Sequence, residues 1–187
     1  MFLISLLAGS GVMMVLESLG LPTTLRLPFK GDIKRESHWL AQYGQSVCTP
    51  VAAVLVLQLD PRPWRTTNPA GAIVLAVLIT SLVCLVLKRL LSRVRPGREN
   101  AGKFLGPSWK HANFKESFPS SHSASAVALT VMLSISYPHA RVTFWALAVL
   151  CAGLRYVMDA HWPSDVRGGI AIGYAVACAG AKMTHMI

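Results

Sequence analysis

The apolar residues of this chain fall in long blocks rather than at a half-buried period, and that distribution decides what it can fold into. A helix crossing a bilayer needs about 20 largely apolar residues. Six stretches are candidates: 2–20, 39–59, 70–91, 120–137, 142–158 and 166–186. The first, third and last are clear. The second is interrupted by Gln42, Gln45 and Pro50, and the fourth and fifth are short. Charged residues make up 14% of the chain, well below the roughly 25% of soluble domains. Together the six stretches use most of the 187 residues, so 1–187 reads as a single integral membrane domain. The expectation is an all-α, six-span transmembrane helical bundle with its site at one membrane interface. Stretch 2–20 lacks a positively charged leader region, so it is expected to be a retained span and not a cleaved signal.

The net charge is +10, and eight of the 18 Lys and Arg lie between Lys88 and Lys115. Such a run suits nucleic acid, an anionic membrane surface or an anionic substrate. Nucleic acid is excluded by its place between two spans and by the lack of any binding motif. A cytoplasmic loop under the positive-inside rule is the plain alternative. The four cysteines, Cys48, Cys84, Cys151 and Cys178, lie in different apolar stretches with no paired spacing. They read as small buried hydrophobes, neither a metal set nor a disulfide framework. Segment 21–38, with Pro22, Pro28 and Gly31, is too polar to cross and reads as an interfacial piece or a lid. The linker after the second stretch carries Trp64, an interface-type residue.

Three clusters carry chemistry. The first is Phe118-Pro119-Ser120-Ser121-His122, where a basic loop gives way to an apolar run. Pro is tolerated just inside a helix start, and the serines offer hydroxyls and free backbone N–H groups at the positive end of the dipole. This is an anion seat suited to phosphate or sulfate, with His122 beside it as a proton carrier. An ordinary serine cap with a chance histidine is the commoner meaning of such a stretch taken alone. The second cluster is Lys88 and Arg95, seven residues apart on one expected helix face, with Pro96 ending the helix near Arg95. Two interface cations with apolar stems are the plain alternative, and Arg89 and Arg93 are read that way. The third is Arg155, His161 and Asp165. Pro163 suits the first turn of the last helix, which sets His161 just before it and Asp165 inside it. A carboxylate four residues on can hold one imidazole nitrogen and leave the other aimed outward; a helix cap is the plain alternative.

Glu17 is placed at headgroup depth without a role, and His111 and His139 are read as solvated. Gly169, Gly173 and Ala177, at four-residue spacing, are read as helix packing. Spans alternate direction, so all three clusters fall on one membrane face. Three cations, an anion seat, two histidines and an orienting carboxylate together make a phosphoryl-transfer site without metal ligands.

Lys88-x6-Arg95-Pro96, then Pro119-Ser120-Ser121-His122, then Arg155-x5-His161-x3-Asp165 resembles the type-2 phosphatidic acid phosphatase superfamily, which includes lipid phosphate phosphatases and vanadium haloperoxidases. The motif core is 88–165. The chain departs from the family pattern twice, with Ser121 where glycine is usual and Leu154 where serine is usual. The resemblance implies double displacement. His161 is the nucleophile, Asp165 holds its imidazole, and His122 is the acid and then the base. Lys88, Arg95, Arg155, Ser120 and Ser121 bind the phosphate. No metal or cofactor is implied. The implied partner is a lipid phosphate or diphosphate among membrane lipids: undecaprenyl diphosphate, phosphatidylglycerol phosphate, phosphatidic acid or lipid A 1-phosphate.

Two rival readings are a non-catalytic phospholipid-binding or carrier protein, and a vanadate-dependent haloperoxidase, which the spans disfavour. Orientation is in conflict. The resemblance sets the site on the periplasmic face of a bacterial inner membrane. Yet 14 of the Lys and Arg lie on the site side and four opposite, which under the positive-inside rule points to the cytoplasm. The periplasmic face is the expectation carried forward.

Overall fold

The computed structural model describes residues 1–21, 23–25, 30–45, 47–63, 68–158 and 161–186, with position 34 as backbone alone. Trp64, Pro22 and Pro28 lie outside the described residues. Within them the α-helices are α1 (Phe2–Ser18), α2 (Gly31–Ala41), α3 (Cys48–Leu59), α4 (Ala70–Leu91), α5 (Ser121–Ser136), α6 (Arg141–Val157) and α7 (Pro163–Met183). Short 3₁₀ turns occupy Gln42–Gly44, Asn113–Lys115 and Pro138–Ala140. No strand forms among the described residues; Arg93 and Phe104 share one isolated antiparallel bridge. The all-α expectation holds.

The bundle is built around α5. Every residue from Ser123 to Ser134 is buried, which marks a helix surrounded on all sides. Its alanines and serines keep it thin. It packs most extensively against α7, then α6 and α4. At Gly173 of α7 an added Cβ would stand 2.1 Å from the Ala124 carbonyl oxygen. Only a missing side chain lets the two backbones lie that close, as the small-residue spacing had indicated. The outer faces are apolar: Leu75, Leu78 and Leu82 on α4 and Val142, Val149 and Leu150 on α6 are exposed. The interior carries polar groups that bond locally, such as the Thr80 hydroxyl donating to the Ala76 carbonyl at 2.8 Å.

Among the described residues, two segments can cross a membrane alone by length and apolar composition, Ala70–Leu91 and Pro138–Val157. The expected second span, 39–59, is not one helix. It breaks into α2 and α3, bent by 62° at the intervening turn, and the pair counts as a third crossing only if taken together. The break follows Gly44, where a Cβ would stand 2.1 Å from the His122 carbonyl oxygen. The turn is therefore wedged against the start of α5. α1 and α5 are apolar but shorter, at 17 and 16 residues.

The expected single helix face for Lys88 and Arg95 is also corrected. α4 ends at Leu91, and Ser92 takes a left-handed conformation (φ 43°) that turns the chain away. Val94 donates to the Lys103 carbonyl at 2.9 Å and Arg95 to the Phe114 carbonyl at 2.8 Å. The segment from 92 to 95 thus runs as an extended strip under the loop that follows. Arg95 approaches Lys88 through this fold-back and not through helical periodicity.

Candidate active site

Four helix ends meet at one end of α5: the C-termini of α4 and α6 and the N-termini of α5 and α7. α5 starts at Ser121, with Ser120 as an extended N-cap. Pro119 therefore precedes the cap and does not sit in the first turn, and its bond to Phe118 is cis. Ser120 is fully buried. Its backbone N–H donates to the Asp165 main-chain carbonyl at 3.0 Å, so that N–H is committed to the α5–α7 junction and withheld from an anion. Its hydroxyl accepts from Ser123 at 3.0 Å. Ser121 begins the helix beside the Cys84 thiol.

α7 opens as the sequence indicated. Trp162 is the N-cap, Pro163 follows, and Asp165 lies in the first turn. The Trp162 backbone N–H donates to Asp165 Oδ2 at 3.0 Å. His161 stands just before, 1% exposed. Its Nδ1 lies 2.8 Å from the Ser117 carbonyl oxygen. A carbonyl can only accept, so Nδ1 carries the proton and Nε2 is left with a lone pair. Asp165 Oδ2 is 3.7 Å from the same nitrogen, too far for a direct bond. The carboxylate reaches His161 through Ser117 instead, whose hydroxyl donates to Asp165 Oδ2 at 2.5 Å. Burial pushes the His161 imidazole down to about 4; the pull of Asp165 the other way is outweighed, and Arg95 and Arg155 add to the fall. The ring is neutral at neutral pH, in the tautomer a nucleophile needs.

The remaining motif residues close around this ring. His122 interacts electrostatically with Arg155, His161, Lys88 and Arg95, and Lys88 with Arg95 and Arg155. All eight residues singled out in the sequence therefore lie at this end of the bundle. The Arg155 Nε is buried and has no hydrogen-bond partner among the described residues. A buried donor without a partner costs about 1–3 kcal/mol, a cost that an anion in the centre removes. Three cations turned toward one another repel, and an anion relieves that as well.

Several residues assigned no chemistry belong here too. Arg93 is not an interface cation: it is 2% exposed. It donates to Asp165 Oδ1 at 2.6 Å, to the Ser164 hydroxyl at 2.6 Å and to Glu17 Oε2 at 2.7 Å. Its guanidinium lies against the rings of Phe104 and Trp162 at 5.1 and 5.4 Å. Glu17, expected to have no role, is buried inside the protein, its side chain 1% exposed. Arg89 pairs with Glu116 at 2.8 Å, and His111 bonds the same carboxylate at 2.7 Å. Burial pushes Glu116 up, but the Ala112 N–H, His111 and Arg89 outweigh it and hold the carboxyl below its usual range. An acid inside an apolar stretch was the one sequence signal for Glu17; nothing local marks Ser117 or Arg93.

A family model described as the PAP2 superfamily matches residues 69–187, well over half of the chain. The chain belongs to the PAP2 superfamily. The resemblance drawn from the three motifs is thereby borne out. Two relatives, each named lipid A 1-phosphatase, come from Rhizobium etli and Rhizobium johnstonii. They are 38% and 37% identical to the chain over 99 residues. That stretch is 52% of this chain but 42% and 40% of theirs, so the match spans less than half of either relative. The crystal structure of a transmembrane PAP2-type phosphatidylglycerolphosphate phosphatase from Bacillus subtilis is similar with a TM-score of 0.63. It covers 100% of this chain and 94% of that one at 17% identity, a likeness of fold. The PAP2 match takes in all three motifs and begins at the start of α4, so α1, α2 and α3 lie outside it.

Proposed function

We propose that this PAP2 protein is an integral membrane phosphatase that hydrolyses a lipid phosphate or diphosphate by double displacement. The bundle crosses the membrane six times, α2 with α3 making one crossing, and the site opens on the periplasmic side of a bacterial inner membrane. His161 Nε2 attacks phosphorus as the bond to the leaving oxygen breaks, and His122 gives that oxygen a proton. His122 then takes a proton from water, which attacks the phospho-histidine and frees phosphate. Lys88, Arg95 and Arg155, with the Ser120 hydroxyl and the start of α5 at Ser121, hold the equatorial oxygens where charge gathers.

The observation that carries this reading is the His161 ring: neutral, buried, its Nδ1 tied to the Ser117 carbonyl and its other nitrogen left to a ring of cations. Lipid A 1-phosphate is the first substrate to try, a choice supported by the names of the two Rhizobium relatives, followed by phosphatidylglycerol phosphate, phosphatidic acid and undecaprenyl diphosphate. The test is phosphate release from these four lipids by the purified protein in detergent. At least one is turned over, and His161→Ala lowers the rate by at least about 1,000-fold while the protein stays folded. Release from none of the four, or wild-type release by His161→Ala, defeats the reading. Thiol labelling of a cysteine introduced at Gly97–Ser117 in intact cells tests the facing.

A further inference from the structure

Asp165 does not meet His161 alone. Arg93 places a full positive charge 2.6 Å from Asp165 Oδ1. An isolated Arg93–Asp165 pair is formally neutral, and a neutral pair does little for an imidazole that turns positive as it takes the phosphoryl group. The structure supplies a second anion. Glu17 Oε2 is 2.7 Å from the other end of the same guanidinium. The Glu17 carboxylate also accepts from the Ser164 backbone N–H at 3.1 Å and the Ser164 hydroxyl at 2.5 Å. The three side chains are 1%, 2% and 0% exposed. One cation between two carboxylates leaves a net charge of −1, buried and one serine away from the nucleophile.

Arg93 also ties the geometry together. Its backbone carbonyl accepts from the Ser117 N–H at 3.0 Å, and the Ser117 carbonyl is what receives the His161 Nδ1 proton. α1 is pinned to the same point, with the Ser10 hydroxyl donating to the Ser164 carbonyl at 2.9 Å. A buried ion triad is no advantage for stability over apolar packing, so its place behind the nucleophile asks for another role.

We propose that Glu17 is a positioning residue of this site: by neutralising Arg93 it leaves the negative charge of Asp165 to act on His161. This rests on the phosphatase reading above. When His161 Nε2 bonds to phosphorus and the P–O bond breaks, the leaving oxygen takes its proton from His122. The ring keeps its Nδ1 proton and becomes cationic, and the triad's surplus charge stabilises that cation. Glu17 lies outside the matched region 69–187, so the N-terminal helix contributes to the chemistry of a core it precedes.

The experiment measures kcat and KM on the four-lipid panel for wild type, His161→Ala, Glu17→Gln and Glu17→Gln/Arg93→Gln, with thermal midpoints. Glu17→Gln keeps the shape and removes the charge. Its kcat falls about 10- to 100-fold, the scale on which partners behind a reactive histidine act, and its KM stays within about 3-fold of wild type. Removing Arg93 as well restores the net charge of −1 and recovers part of kcat. Unchanged kcat in Glu17→Gln, or a rise in KM that accounts for the loss, overturns the proposal. So does a folded double variant that is slower still, the result of a purely structural role. If the double variant does not fold, the kcat-against-KM split of Glu17→Gln decides. If Glu17→Gln itself does not fold, Glu17→Asp is read instead; it withdraws the charge by one methylene, and an unchanged kcat overturns the proposal. Release by wild type and none by His161→Ala keeps the functional reading whichever way Glu17 falls, whereas no release by wild type defeats both.

Discussion

The two ends of α5 handle charge in opposite ways. At its C-terminal end Tyr137 donates to Asp60 Oδ2 at 2.5 Å, and Arg62 donates to the same carboxylate from its backbone N–H at 2.9 Å and from its guanidinium. These bonds hold the Asp60 carboxyl well below its usual range, those from Arg62 foremost. Within this clasp both carboxylate oxygens meet donors. At the N-terminal end the carboxylates are spoken for by Arg93 and Arg89, while Lys88, Arg95 and Arg155 interact electrostatically with one another and the Arg155 Nε has no acceptor among the described residues. Similar residues thus make a closed clasp at one end and an unfinished one at the other. On the proposed reading, the phosphate of the substrate brings the acceptor oxygens to the unfinished end.

The largest test of that contrast removes one arginine from each end. Arg155→Ala lowers kcat/KM by about 100- to 1,000-fold, the scale of losing a donor to developing oxyanion charge. Arg62→Ala lowers the thermal midpoint and leaves kcat/KM within about 2-fold, since it stands at the opposite end of α5, about 24 Å from the site. Equal losses from both break the comparison. A smaller effect comes from pH. His161 sits near 4 in the folded protein against roughly 6.5 unfolded. Between those values the unfolded chain binds more protons, so stability rises with pH across the window and is lost as pH falls through it. The wild-type thermal midpoint therefore drops more steeply from pH 7 to 4.5 than that of His161→Gln; parallel curves dismiss the buried neutral ring. The smallest effect lies in the first turn of α5. Gly173→Ala forces a methyl against the Ala124 carbonyl and costs about 1–3 kcal/mol of stability, as overpacking does, seen in the thermal midpoint.

How much of this could be read from the sequence follows from how local each signal is. The opening of α7 was legible because Pro163 and Asp165 act within one turn. The three motifs were legible because residue types and order survive whatever the backbone does between them. The relation of Lys88 to Arg95 was misread as helical because Ser92, which turns the chain, is an unremarkable serine in sequence. Arg93 and Glu17 were passed over because 76 residues separate them, and only the tertiary fold of α1 against α7 brings them together. The break inside 39–59 hinted at itself through Gln42 and Gln45, yet the close approach of Gly44 to the His122 carbonyl involves another helix and leaves no local sign.

The shortness of α5 has a consequence for any lipid that comes to it. Sixteen residues rise about 24 Å, against a hydrocarbon thickness of about 30 Å. In a spanning bundle the ring of cations is then sunk beneath the plane where phosphates of the surrounding leaflet normally float. On the proposed reading, a substrate has to dip its head to be cut, and the protein has to dimple the bilayer to let it.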